Sequence, residues 1–389
     1  MDKGYGGAIV TGILLIVIIS VVISHSFDYF TDKNMKNKTN AMIKQWEPIY
    51  GAASVNRKSL AEYVNTLITT GKITQAQRCL SNFYIMTCNA SSIFMPGEGG
   101  KFPIVSIDAL SYTLRAGCRG FIFDVLEKLD DRGKPYVFVV DSDPNKKWRR
   151  TSMNFLPLRD PMNRLRAEAF GEGSLGQAGA VQLKNTSDPI FVYLRFIKQH
   201  KPAFYDAVAE VLDNAFKDYR LDYTWAAARR QSDFFTTNVD EFMGKIIVLS
   251  NQKPSGTKLE ELINVTSQSS SKIWWRADDI KNITDEEIAK QKPIIQQNVT
   301  IAFEPQAEQN NLDWKRAHGL GIQMIGMNWF NQSGKQLQEY RDFFGEFSFK
   351  IKPDTMRYTV QVTSGPRKPG NEANMNKGQV TMPQFTVRQ

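Results

Sequence analysis

Four short runs of apolar, largely β-branched or aromatic residues, at 121–125, 136–140, 190–194 and 245–250, constrain this chain more than any other feature. Each is close to continuously apolar. A strand of that kind leaves neither face for water and belongs in a sheet covered on both sides, as parallel sheets are. Parallel neighbours need a crossover, and helical spacing appears between the runs: Val208, Val211, Leu212 and Ala215 fall on one face of a helix over 203–216. Shorter helices are predicted at 59–68 and 74–80. Alternation sustained over roughly 300 residues predicts an α/β architecture, either a barrel or a doubly wound sheet, and periodicity alone does not choose between them.

The chain has 389 residues, 42% hydrophobic and 23% charged, the make-up of a core-forming protein. A net charge of +9 is spread without a long basic block, and basic pairs such as Arg149 with Arg150 read as solvated faces. No nucleic-acid module is present, so nucleic acid is not an expected partner. Three cysteines, Cys79, Cys88 and Cys118, are too few for a disulfide framework and fit a reducing, cytosol-facing setting.

Residues 8–23 are almost wholly apolar. Ala8, Ile13, Leu14, Leu15, Ile16, Ile19, Val22 and Ile23 are read as positions of a single transmembrane anchor within 1–29. A helix of about 20 residues spans the roughly 30 Å hydrocarbon layer. A cleavable signal peptide would carry a small-x-small cleavage site and a basic start beyond Lys3, and neither is seen. Lys33, Lys36, Lys38 and Lys44 follow the segment, so the positive-inside rule places the large C-terminal part on the cytosolic side. Residues 30–80 read as a polar linker and helical lead-in. The Gly-, Pro- and Asn-rich stretch 364–389 reads as an extended tail.

Six segments in order resemble the X and Y regions of phosphoinositide-specific phospholipase C. Residues 84–91 (Tyr-Ile-Met-Thr-Cys-Asn-Ala-Ser) resemble the first-strand Ser-His-Asn-Thr segment, and 116–119 (Ala-Gly-Cys-Arg) with Asp124 resemble Gly-Cys-Arg-x-x-Glu-x-Asp. Residues 189–195 and 244–250 look like the next two strand motifs of the X region. In the Y region, 321–328 (Gly-Ile-Gln-Met-Ile-Gly-Met-Asn) is similar to Gly-Cys-Gln-Met-Val-Ala-Leu-Asn, and 349–357 to Tyr-Val-Leu-Lys-Pro-x-x-Leu-Arg. The resemblance implies a distorted TIM barrel, with an X-like half at 81–252, a connecting segment at 253–296 and a Y-like half at 297–363.

It also implies a site of two catalytic histidines and a calcium ion held by Asn, Glu, Asp and Glu. Here the first histidine matches Cys88, while Asn89 is kept. The first Glu matches Ile122, and Asp124 is kept. The second histidine falls near Val139, and the last Glu matches Arg195. A positive charge about 5 Å from a divalent ion repels it by roughly 6–7 kcal/mol at an effective dielectric near 20, and Arg195 is expected to pair with Asp124 instead. The phosphate-gripping Ser-Arg-x-Tyr run reads Thr-Ile-Ala-Phe at 300–303.

These departures predict a pseudoenzyme with no catalytic residue, metal or cofactor. The expected function is a membrane-anchored scaffold whose partners are the lipid bilayer and structural proteins such as coat or capsid subunits. By analogy with large DNA viruses, it would be a minor capsid protein tying an internal membrane to a shell. The alternatives are a divergent membrane-bound phosphodiesterase and an inositol-lipid-binding adaptor.

Overall fold

In the computed structural model of this chain, the structure describes residues 13–22 and, with breaks, 57–359, chiefly 57–89, 104–128, 131–137, 154–171, 183–221, 234–266, 274–304, 311–329 and 334–359. Among the described residues, eight strands run parallel: β1 (Phe83–Cys88), β2 (Gly120–Lys128), β3 (Ile190–Phe196), β4 (Ile246–Ser250), β5 (Val265–Thr266), β6 (Trp274–Trp275), β7 (Ile301–Phe303) and β8 (Met324–Met327). Their hydrogen-bonded order is β5-β4-β3-β2-β1-β8-β7-β6. This is the order of a ring opened once, between β5 and β6. A barrel is thus the outcome where periodicity left two choices.

Helix α1 (Leu60–Thr69) precedes the barrel, and helices fill the crossovers. α2 (Ile107–Arg115) joins β1 to β2, α3 (Arg159–Ala169) joins β2 to β3, and α4 (Pro202–Phe216) joins β3 to β4. α5 (Lys258–Leu262) follows β4, while α6 (Ala277–Asn282) and α7 (Asp285–Gln297) lie between β6 and β7. α8 (Trp314–Gly319) leads to β8, and α9 (Gly334–Phe344) leads to β9 (Phe349–Ile351), which returns antiparallel on β1. Local chemistry sets several starts. Ser106 accepts the Asp108 N–H ahead of α2, Thr284 and Glu287 form a capping box on α7, and Pro202 opens α4, where its missing N–H costs nothing.

Period-two alternation sorts the strand residues between two cores. Tyr84, Met86 and Cys88 of β1, Phe121, Phe123 and Val125 of β2, and Val192 and Leu194 of β3 face the helices. Phe83 and Ile85, Ile122, Phe191 and Tyr193, and Ile301 and Phe303 fill the barrel interior. Both faces are therefore buried, which is why these runs read as continuously apolar.

α1 closes the barrel at the N-terminal ends of the strands, where Leu60, Tyr63, Val64 and Leu67 join the interior core. Burial of such side chains contributes about 1.5–3 kcal/mol each. A latch holds this entry in place. Arg57 Nη1 donates to the carbonyls of Gly345 (3.0 Å) and Phe347 (2.6 Å), and Lys58 N to Glu346 O (2.8 Å). Leu60 N donates to Asp188 Oδ1 at 2.6 Å, and Tyr63 stacks on Phe347 at 4.4 Å. Gly117, at φ +109°, leaves the space that the Arg57 side chain fills.

Several expectations are corrected. The run at 136–140 is not a parallel strand: Asp131–Val137 pairs antiparallel with β2, from Val125↔Val137 to Lys128↔Asp131. Two residues separate the strands, enough for a hairpin and far too few for a crossover. Residues 74–80 form 3-10 turns, Gln75–Gln77 and Leu80–Asn82, not a helix. The segment 253–296 carries β5 and β6. At the N-terminus, residues 13–22 are helical with exposed apolar side chains, whereas Ala8 and Ile23 lie outside the described residues. No helix among the described residues is long and apolar enough to cross a membrane. Most of 23–56 and all of 364–389 also lie outside the described residues.

Candidate functional site

In an α/β barrel the side chains of different strands converge at the C-terminal ends of the parallel strands. Asp124 on β2 and Arg195 on β3 are register partners there, on the inward face. Arg195 Nε donates to Asp124 Oδ1 at 2.5 Å and Nη2 to Oδ2 at 2.6 Å, a two-point ion pair. Asp124 is 1% and Arg195 6% exposed. The guanidinium carbon lies 5.4 Å from the ring centre of Phe303 on β7, so Arg195 reaches across the interior. Phe303 in turn packs against Tyr193 at 5.8 Å and Trp274 at 5.4 Å. This aromatic floor has no counterpart in the sequence-based site. Its signals in the sequence were the Phe that ends the run at 300–303 and the adjacent aromatic pair Trp274 and Trp275, which reads as barrel-wall packing.

Asn89, the first residue past β1, is buried, and its amide nitrogen is committed. Its Nδ2 donates to Glu304 O (2.8 Å) and Asn328 Oδ1 (3.1 Å), tying the ends of β1, β7 and β8 together. The Asn328 N–H goes to Asn311 Oδ1 at 2.6 Å. Ile122 sits one inward position below Asp124. Gly326 makes room for it: a Cβ there would lie 2.7 Å from Ile122 Cδ1 and 3.4 Å from Asn89 Cβ.

Cys88 does not join this group. Strand alternation turns it outward into the helix-facing core, where its Sγ donates to Asn89 O at 3.3 Å. Nearby Cys118 is pushed well above the ordinary thiol range, by burial first and by Cys88 next. Val139 lies outside the described residues. His200 stacks on Phe204 at 4.0 Å, and burial, with Lys198 adding, lowers it to about 4. His318 lies in the helix-facing layer behind β1, among aromatic rings.

The structure thus brings Asn89, Ile122, Asp124 and Arg195 to one end of the barrel and leaves Cys88 out. These four side chains do not fit a calcium ion, which takes 6–8 oxygen ligands. Both oxygens of Asp124 are engaged by a cation, Ile122 offers none, and Asn89 has a single amide oxygen to give, its nitrogen being bonded to strand ends. Among the described residues, no group of three or more His, Cys, Asp or Glu side chains is placed to hold a metal.

No family model and no curated protein sequence matches the chain. Solved structures do. L. pealei PLC21 superposes with a TM-score of 0.51 at 12% identity, over 73% of this chain and 38% of that one. S. officinalis PLC21 gives 0.51 at 11% over the same shares. A calcium-dependent phosphoinositol-specific phospholipase C from a Pseudomonas species, in its myoinositol complex, gives 0.41 at 11%, over 72% and 98%. At such identities the likeness is one of fold. The chain is built on a curled, mostly parallel α/β barrel sheet similar to that of PLC21, of whose length it spans 38%.

Proposed function

We propose that this protein is a non-catalytic, membrane-tethered scaffold, in which a phospholipase C-like barrel serves as a rigid block between a bilayer and a protein shell. The observation that carries the reading is the buried ion pair of Asp124 and Arg195. A divalent ion at Asp124 would have to displace a two-point guanidinium contact and then sit beside that positive charge. The family's chemistry also starts from a histidine in the mouth, and the matching Cys88 faces away. Support for the tether comes from residues 13–22. Their large apolar side chains, from Ile13 to Val22, are 47–65% exposed on a helix that nothing described covers. The sequence continues the apolar run to both sides, from Ala8 to Ile23. The cytosolic placement of the barrel and the capsid partner extend this reading.

The test is one sample with two readouts. The full chain is mixed with liposomes containing inositol phospholipid across a calcium series, then sedimented, and released phosphorylated head group is measured. Co-sedimentation without turnover above an Asp124→Ala control is the expected result. Calcium-dependent turnover lost in that variant would overturn the non-catalytic reading, and protein left in the supernatant would overturn the tether.

A further inference from the structure

Behind β1, at the base of the barrel, ionisable side chains from separate segments meet in the apolar layer between sheet and helices. Tyr84 points outward from β1. Its ring stacks on the imidazole of His318, at the end of α8, with centroids 4.1 Å apart, and its Oη donates to the His318 carbonyl at 2.5 Å. Trp314, Tyr340, Phe343 and Phe344 close around the same imidazole at 4.9–6.0 Å. Neither imidazole nitrogen has a hydrogen-bond partner. Lys352, the first residue past β9, is 0% exposed, and its Nζ lies 5.7 Å from the Tyr84 ring centre, also without a hydrogen-bond partner.

Among the described residues, no carboxylate acts on Lys352 or His318 to offset a charge. Cys79, in the turn before β1, faces Lys352, and burial raises its thiol, which keeps it neutral. On α9, the aromatic hydroxyl of Tyr340 is likewise raised by burial. Lys350 Nζ sits over Phe343 at 5.7 Å. Arg357 donates its Nε to the Lys352 carbonyl at 2.6 Å and pairs with the exposed Asp354, so it holds the backbone without touching the ammonium. Burial lowers Lys352 to about 7, and burial with help from Lys352 lowers His318 well below its ordinary value. The seam beside them is short: β9 pairs with β1 only from Phe83↔Ile351 to Ile85↔Phe349.

We infer that Lys352 and His318 form a proton-sensitive catch on β9, which holds the strand to β1 while both are neutral and lets it open as protons bind. A base whose pKa falls on folding binds fewer protons closed than open, so lower pH favours the open form. For Lys352 the effect accrues between its ordinary 10.5 and about 7 and is complete below. For His318 it begins below 6.5. Each pH unit within a window shifts opening by about tenfold.

The experiment is amide hydrogen exchange on the full chain at several pH values from 9.5 to 5.5, corrected for the chemical exchange rate. Peptides covering β9 and the end of α9 should lose protection about tenfold per unit between pH 9 and 7, with α4 as the internal reference. Lys352→Met, close in length and without a charge, should flatten that slope. A second variant, His318→Phe, should flatten the response below pH 6.5 alone. Equal slopes in wild type and both variants would overturn the inference, as would loss of protection in β9 and α4 together. The readout is independent of lipid binding and turnover, so it stands or falls apart from the scaffold reading.

Discussion

Removing the guanidinium of Arg195 would strand the Asp124 carboxylate, which is 1% exposed and takes both its strong hydrogen bonds from that one partner. Breaking a buried pair from one side costs about 3–5 kcal/mol, whereas replacing both partners with apolar residues of like size is often neutral. Arg195→Met is therefore expected to lose about that much stability in urea unfolding, and Asp124→Leu with Arg195→Met to recover most of it. An unfolding midpoint of the single variant equal to wild type would show that the pair is not held as described. At this scale the sequence was a good guide to identity and a partial guide to place. Alignment with a family motif gave Asp124 and Arg195, and their charges gave the pair. It could not tell that Cys88 and Asn89, adjacent in the chain, part company, because which of them faces inward depends on the phase of the strand.

Among the elements, β8 shows how little slack the interior has. A Cβ at Gly326 would lie 2.7 Å from Ile122 Cδ1 and 2.9 Å from Phe303 Cβ, while at Gly319 in α8 it would meet nothing within 4 Å. Overpacking of a close-packed core typically costs about 1–3 kcal/mol. Gly326→Ala should lower the urea midpoint accordingly with an unchanged slope, and Gly319→Ala should not. Strands β2 to β4 were legible because five or more buried residues in a row leave a clear apolar signature, whereas β1 was marked only by the motif resemblance at 84–91. β5 and β6, two residues each, are too short to leave one. The run at 136–140 misled for a different reason. Val137 is as buried as any barrel residue, but a two-residue connection decides that its strand is antiparallel.

For the whole molecule, the order of the motifs carried the fold further than any single motif did, since six weak segments in sequence fall in turn on β1 to β4, β8 and β9. The scaffold reading predicts that crosslinking with mass spectrometry, on the native membrane or particle, links the barrel and residues 364–389 to repeated coat subunits. Crosslinks confined to lipid-signalling proteins would contradict it. The latch at the barrel base has a mechanical meaning if the N-terminus is held. A pull arriving at Arg57 is divided at once among the carbonyls before β9 and, three residues on, Asp188 before β3, groups 290 and 128 residues away from their partners in the chain. Such bonds are loaded side by side and must fail together, so the barrel would resist tension like a rivet head seated behind its plate, not like a zipper drawn from one end.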